Sequence, residues 1–271
     1  KLLPYPHCRQ QIMTTRQPSL FISHGAPTLP IEDSPTRHFL EQLGRDWPRP
    51  RAIVIVSAHW EARALTVNLQ PRPDTMYDFG GFPPVLRTLR YPAATDAALA
   101  ERVVGLLDQA GLPVAATAER PLDHGMWTPL LLMFPQADIP LVMISLHHQA
   151  GAAEHYALGQ ALRPLRDDNV LVIGSGSYTH NLWELSPEGS ERAPWAAGFA
   201  DWMDQALRDN RRDDIIHWQQ RAPYPNENHP SDEHFQPLLV ALGASNDEAA
   251  PVKLHDDWRM GSLSMACWRF D

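Results

Sequence analysis

Three stretches of this chain, Ala52-Ile53-Val54-Ile55-Val56, Ile139 to Ile144 and Val170-Leu171-Val172-Ile173, are apolar and show no polar alternation. A strand with one wet face alternates polar and apolar side chains, so runs like these belong to strands covered on both faces. A shorter run, Leu20-Phe21-Ile22, reads the same way. Amphipathic segments lie between them. Ser34 offers a cap and Pro35 a first position for a helix ending near Trp47, and Thr95 caps another from Asp96 to Gln109 that stops at Gly111. Further helices are expected from about Gly151 to Leu165, Pro194 to Arg208 and Ser231 to Leu242, before a tail of one or two strands. Strands alternating with helices predict an α/β fold: a single domain with a central, largely parallel or mixed β-sheet flanked by helices on both faces.

Residues 1–13 show no periodicity and read as a leader, flexible or not native, with Met13 as a natural start. Residues 14–271 are expected to form the one α/β domain, since no shift in composition divides them and no internal repeat is seen. The 23 Lys+Arg against 32 Asp+Glu give a formal net charge of −9. That balance leaves no basic stripe to neutralise phosphates, so no nucleic-acid partner is expected. Two cysteines, Cys8 and Cys267, make neither a disulfide framework nor a zinc ribbon and point to a reducing compartment. Apolar runs such as Ile139 to Leu146 are too short to span a bilayer, and residues 1–20 lack a signal-peptide core. The expected location is cytoplasmic, with no membrane partner.

The 13 histidines are the more telling feature, because of where they fall. The first strand ends in Ser23-His24-Gly25, the second in Ser57-Ala58-His59-Trp60 and the third in Ser145-Leu146-His147-His148. The fourth leads through Gly174-Ser175-Gly176-Ser177 to Thr179-His180-Asn181. Ligands of open α/β sheets bind outside the carboxyl ends of the strands, so four segments deliver imidazoles to that edge. Asp123-His124-Gly125, in a loop before a helix opening at Trp127-Thr128-Pro129, and Asn228-His229-Pro230-Ser231-Asp232-Glu233-His234-Phe235 add to them. Capping accounts for the acids of the last segment but not for His234 beside Phe235. The pattern predicts a metal site: imidazoles with a carboxylate and open positions suit non-haem Fe(II), and four closed imidazoles suit zinc. His7, His38, His155, His217 and His255 fall in the leader or on polar helix faces and loops and receive no role; His147 and His148 either line the site or cap a strand. Ser175 lacks the strand-to-helix context of a nucleophile, and no P-loop lysine follows Gly174. The segment from Pro71 to Pro84, with Gly80-Gly81, is too long for an ordinary connection and reads as a functional loop.

Six ordered motifs carry a resemblance: Ser23-His24-Gly25-Ala26-Pro27, Ser57-Ala58-His59-Trp60, Tyr77-Asp78-Phe79-Gly80-Gly81-Phe82-Pro83, Asp123-His124-Gly125, Thr179-His180-Asn181 and Glu233-His234-Phe235. From about Ser19 to Arg269 the chain resembles the class III extradiol ring-cleavage dioxygenases, LigB-like, in their 4,5-DOPA dioxygenase branch. The resemblance implies a single catalytic α/β domain that opens a catechol, a small aromatic diol, with O2 and Fe(II), while Zn(II) is a metal the isolated protein would also hold. His24 and His59 match the leading metal ligands and His234 a third, with Glu233 as the competing candidate. His180 matches a histidine near the metal, acting as acid/base or as a fourth ligand, and His124 one that contacts substrate. Tyr77, Phe79 and Phe82 would cover the aromatic ring as part of a closing loop. Two other functions fit the same scaffold, a zinc-dependent hydrolase and a non-enzymatic metal-binding protein of the Memo type.

Overall fold

The computed structural model describes residues 16–271; the expected leader at 1–13, with Cys8, lies outside the described residues. In chain order the elements are β1 (Ser19–Ser23), α1 (Pro35–Asp46), β2 (Ala52–Ala62), β3 (Leu65–Asn68), α2 (Ala97–Gln109), β4 (Val114–Thr117), α3 (His124–Met133), β5 (Leu141–His147), α4 (Ala152–Leu162), β6 (Val170–Gly176) and α5 (Pro194–Arg208). Then follow α6 (Arg212–Ile216), α7 (Trp218–Arg221), α8 (Pro225–Asn228), α9 (Gln236–Gly243), β7 (Val252–His255), β8 (Trp258–Arg259), β9 (Leu263–Ser264) and β10 (Cys267–Phe270). Eight strands make one sheet in the order β4-β3-β5-β2-β6-β1-β10-β7, and β8 pairs with β9 apart from it. The middle four, β5-β2-β6-β1, are mutually parallel. Both flanks reverse, with β3 antiparallel to β5 and β10 antiparallel to β1. The sheet is therefore mixed, and its parallel centre points four carboxyl ends toward one edge.

Period-two alternation assigns the two faces. Leu20, Ile22, Ile53, Ile55, Leu171 and Ile173 pack toward α1 and α3, meeting Leu40, Met126, Trp127 and Leu130. The intervening Val54, Val56, Val142, Ile144, Val170 and Val172 pack against Leu99 and Val103 of α2, Leu158 and Leu162 of α4, and Val240 of α9. Phe21 continues that second face into a cluster with Phe199 and Met203 of α5, Leu238 of α9 and Trp268 of β10. Both faces are dry, which is why the central strands carry no alternation.

Four details differ from the expectation. Asp96, not Thr95, caps α2, accepting from the Leu99 N–H at 3.0 Å, while the Thr95 hydroxyl donates to Gln70 O at 2.6 Å. The last helix starts at Gln236, so His234 sits in the turn before it. His124 is the first helical residue of α3, capped by Asp123, instead of belonging to a loop. His155 is buried on α4, where its Nδ1 bonds Gly151 O at 2.9 Å and its Nε2 accepts from the His147 N–H at 3.2 Å. The short strands β3 and β4 gave no run long enough to stand out.

At β6 the second layer approaches unusually closely. A Cβ on Gly174 would lie 1.9 Å from Pro237 O and one on Gly176 2.2 Å from His234 O. The Gly-Ser-Gly-Ser run is thus neither a phosphate cradle nor a nucleophile turn: its glycines let α9 and the turn before it rest on the sheet. Gly174→Ala should lower stability by on the order of 3 kcal/mol, because the obstacle is backbone that cannot rotate aside. Equilibrium urea unfolding with an unshifted midpoint would refute this account of the run.

Candidate metal centre

His24 leaves β1 at its carboxyl end, and its N–H donates to Gly176 O at 3.0 Å, which ties it to β6. Gly25 then turns the chain at φ +65°, a conformation that favours glycine, and a Cβ there would fall 2.8 Å from Met265 Cε. His59 lies within a register shift between Val56 and Glu61 in the β2–β5 pairing, an irregularity of the kind that re-aims side chains. Its N–H donates to Ser57 Oγ at 3.2 Å and its carbonyl accepts from Arg120 Nη2 at 2.9 Å. His124 opens α3 because buried Asp123 caps that helix while also accepting from Ser57 Oγ and Arg120. His234 is fixed by its carbonyl, which accepts from the Ser177 N–H at 2.9 Å, and His180 by its N–H, which donates to Asn228 O at 2.9 Å.

These elements bring five imidazoles together. His24 Nε2 and His59 Nε2 are 3.0 Å apart, and nitrogens of His24, His59 and His124 all lie within 4.8 Å of one another. The His234 ring centre is 5.5 Å from that of His24 and 4.8 Å from that of His59. His180, Glu233 and His234 form a second close group. The outer nitrogens are anchored: His24 Nδ1 to Ser175 Oγ at 3.0 Å, His124 Nδ1 to Asp78 Oδ2 at 3.0 Å and His234 Nδ1 to Glu233 Oε1 at 2.8 Å. His234 Nε2 is buried without a hydrogen-bond partner. Gly125 allows the crowding, since a Cβ there would meet Ser57 Oγ at 2.5 Å and His24 Cε1 at 3.1 Å.

This donor set fits a metal ion. Two nitrogens each about 2.1 Å from one ion at a right angle stand about 3.0 Å apart, the spacing of His24 and His59. The orphaned His234 Nε2 supplies a further lone pair. His180 and His234, by contrast, stack at 3.5 Å with planes inclined by 11°. Imidazole lone pairs lie in the ring plane, so an ion in the plane of one ring is well out of the plane of the other. The arrangement lets one of the two bind an ion, not both.

Burial chiefly, and then the neighbouring imidazoles, push His24 and His234 well below the ordinary histidine value. Burial also takes His59 to about 3, with Asp78 pulling the other way, and His180 to about 4 against the pull of Glu233. All four are neutral near pH 7, as ligands and proton acceptors must be. Burial works against ionisation of Asp78, but its bonds from the His124 ring and N–H outweigh that and hold its pKa low.

Not every expected residue joins the cluster. His147 lines a separate cavity with Arg63, Leu112 and Glu154, and His148 pairs with Glu61 at 3.5 Å. His229 is enclosed by Phe199, Trp218 and Phe235, with Nε2 bonded to Tyr178 O at 3.1 Å. Tyr77 is anchored through its hydroxyl to Leu89 O at 2.6 Å and packs on Trp127. Phe79 stands edge-on to His124 with centres 5.8 Å apart, and Phe82, 40% exposed, lies against Phe79. The sequence assigned no role to Asp78, Ser57, Ser175 or Asp123, although Asp78, Ser57 and Asp123 stand inside the ordered motifs and Ser175 lies between Gly174 and Gly176.

Residues 17–266 match the family model described as the catalytic LigB subunit of aromatic ring-opening dioxygenase. The chain is 41% identical over 256 residues to a 4,5-DOPA dioxygenase extradiol of Beta vulgaris, covering 93% of this chain and 96% of that one. It is 38% identical to the protein of that name in Escherichia coli (strain K12), over 93% and 94% of the two chains. The crystal structure of an uncharacterized protein from Escherichia coli K12 superimposes with a TM-score of 0.79 at 33% identity, covering 94% of this chain and all of the other.

The depressed histidines make stability depend on pH with a definite sign. In the unfolded chain each takes up a proton near pH 6.5, while in the fold His180 does so near 4 and His59 and His229 near 3. Their stabilisation is complete above pH 6.5 and is lost as pH falls, at up to about 1.4 kcal/mol per histidine per pH unit. The urea midpoint of the metal-stripped protein should fall steeply between pH 6.5 and 4. A constant midpoint over that range would show that these imidazoles are not buried neutral.

Proposed function

The chain belongs to the family of the catalytic LigB subunit of aromatic ring-opening dioxygenases and is an extradiol ring-cleaving enzyme, and we propose that its substrate is a DOPA-like catechol opened with O2 at Fe(II). Ring-opening dioxygenases of this family use a metal, and in the proposed site His24, His59 and His234 hold it. The observation that carries the assignment is the buried, unpartnered His234 Nε2 on a ring whose centre lies 5.5 and 4.8 Å from those of His24 and His59, two imidazoles with Nε2 atoms 3.0 Å apart. Fe(II) is favoured over Zn(II) for turnover because zinc has no redox chemistry, although imidazoles bind both. When bound, the ion would convey electrons from the catechol to O2 and act as a Lewis acid that brings both reactants into contact.

The chain's own residues do the rest. His180, neutral and stacked on His234, accepts the proton that a catechol hydroxyl loses on binding. His124 keeps its Nδ1 on Asp78 and presents its other edge to the ring or its oxygens. Phe79 lines the substrate face beside His124, Phe82 covers it from the loop tip, and Tyr77 holds the loop through Leu89 and Trp127. Residues 14–271 act as one catalytic unit in this proposal. A cytoplasmic location belongs to it too: Cys267 is a free, buried thiol, and no described helix is long and apolar enough to cross a membrane.

Reconstitution with Fe(II) without oxygen, followed by O2 uptake with L-DOPA, tests the reading. One O2 consumed per catechol with a yellow semialdehyde is expected; hydrolysis with Zn(II), or metal binding without O2 uptake, would replace it by one of the other two functions. His24→Ala and His59→Ala should each abolish stoichiometric metal, and retained metal in either would remove that residue from the site. His180→Ala should keep metal and lose about 10²-fold or more in kcat. Replacing Phe79 and Phe82 together by Ala should raise KM for catechols at constant metal affinity, whereas lost stability with KM unchanged would make the loop part of the core.

A further inference from the structure

Three imidazoles of the cluster each present Nδ1 to an acceptor, and the identity of those acceptors determines where the protons are. Ser175 Oγ has one hydrogen, which it donates to Gly125 O, a group that can only accept. The remaining contact of that oxygen, to His24 Nδ1 at 3.0 Å, must then be a bond in which the imidazole donates. Glu233 Oε1 is a carboxylate oxygen 2.8 Å from His234 Nδ1, and Asp78 Oδ2 is 3.0 Å from His124 Nδ1 while Oδ1 accepts from the His124 N–H. Both carboxylates accept as well.

We infer that Ser175, Glu233 and Asp78 are positioning residues that hold His24, His234 and His124 as Nδ1–H tautomers, with His59 left as the imidazole that changes tautomer when a metal enters. The free imidazole ordinarily carries its proton on Nε2, so the fold imposes the less common form three times. The consequence is that His24 and His234, with ring centres 5.5 Å apart, both carry their lone pair on Nε2 before any ion arrives. His59 is different. The acceptor facing its Nδ1, Asp78 Oδ2, is 4.0 Å away, beyond hydrogen-bond range, while its Nε2 is 3.0 Å from His24 Nε2. With the His24 proton on Nδ1, that short contact is a bond from His59 Nε2–H to the His24 lone pair. For His59 to bind an ion, its proton must leave Nε2 and appear on Nδ1, toward Asp78, so net charge is unchanged by the shift. Glu233 is by the same argument a holder of His234, because its Oε1 accepts the Nδ1 proton at 2.8 Å.

This inference rests on the metal-site reading only for the step in which an ion enters; the three fixed tautomers are properties of the metal-free protein. Long-range proton–nitrogen correlation spectra of ¹⁵N-histidine-labelled protein distinguish the two tautomers directly. In metal-stripped protein at pH 7.5, His24, His124 and His234 should show Nδ1–H patterns and His59 an Nε2–H pattern, and Zn(II) should convert His59 to Nδ1–H. An Nε2–H pattern for His24 or His234, or a His59 already protonated on Nδ1, overturns the inference even if the enzyme cleaves catechols. If Zn(II) leaves His59 unconverted while the other three are as expected, its switching role is refuted and the metal-site reading is in question. Ser175→Ala should weaken Zn(II) binding by about 10- to 100-fold in chelator competition, and Ser175→Thr should restore part of it. Undiminished affinity in Ser175→Ala would reduce the serine to a packing residue.

Discussion

His24, His59, His180 and His234, crowded together at the end of a parallel sheet and largely withdrawn from water, are tolerable there only if none of the four carries a charge. A protonated imidazole there would lose its hydration and face four others, and the low pKa directions of His24, His59, His180 and His234 express that penalty. Neutrality in turn fixes hydrogen bonding. A neutral imidazole has one donor and one acceptor, so each buried ring needs an acceptor on one side and something that takes a lone pair on the other. Ser175, Asp78 and Glu233 meet the first need. The second, at the unpartnered His234 Nε2, is the need a metal ion meets.

The packing around the cluster follows from the same crowding. Rings from β1, β2, α3 and the turn before α9 meet only if those backbones come closer than side chains normally permit, and glycine stands at each closest approach. Gly125 brings α3 against Ser57 and His24, and Gly174 and Gly176 bring Pro237 and His234 against β6. A hydroxyl then bridges what the glycines admit: Ser175 joins the His24 ring to the Gly125 carbonyl, coupling β1, β6 and α3 through one side chain. Buried Asp123 does similar work below His124, holding Ser57, Arg120 and the first N–H groups of α3 together.

Much of this was readable because parallel strands buried on both faces cannot be mistaken for wet ones, and each contains or leads within four residues to a histidine. What sequence could not supply was strand order. His147 ends β5 just as His24 follows β1, yet β5 and β1 are separated by β2 and β6, three strand spacings of about 4.8 Å each. His147 therefore opens on another cavity, while His59 on the intervening β2 reaches the cluster from within the irregular stretch of the β2–β5 pairing. Small polar residues were missed for a related reason. Ser57 and Ser175 look like spacers beside glycine and alanine until tertiary contact gives their hydroxyls partners, and Asp78 lies 46 residues from the imidazole it holds. The turn at His234 also looked like a helix start, because Ser231, Asp232 and Glu233 are the residues a capped helix would use; the helix waits until Gln236 so that the His234 carbonyl can meet Ser177.

A centre that both grips an ion and takes protons from a substrate needs imidazoles of two kinds, and the hydrogen bonds divide them. Rings whose Nδ1 proton is committed to Ser175, Glu233 or Asp78 cannot rotate or exchange that proton without breaking a buried bond, a loss of about 1 to 3 kcal/mol or more next to a charged acceptor. They suit holding and orienting. His180 has no such bond: its ring stacks on the face of His234 with Glu233 nearby, and it is partly open to solvent. A ring stacked on a held neighbour keeps its plane while both nitrogens stay available, so it can take a proton on one and release one from the other without moving. In the proposed roles, tethering suits His24 and His234 as ligands rather than bases, and freedom suits His180 as a base rather than a ligand.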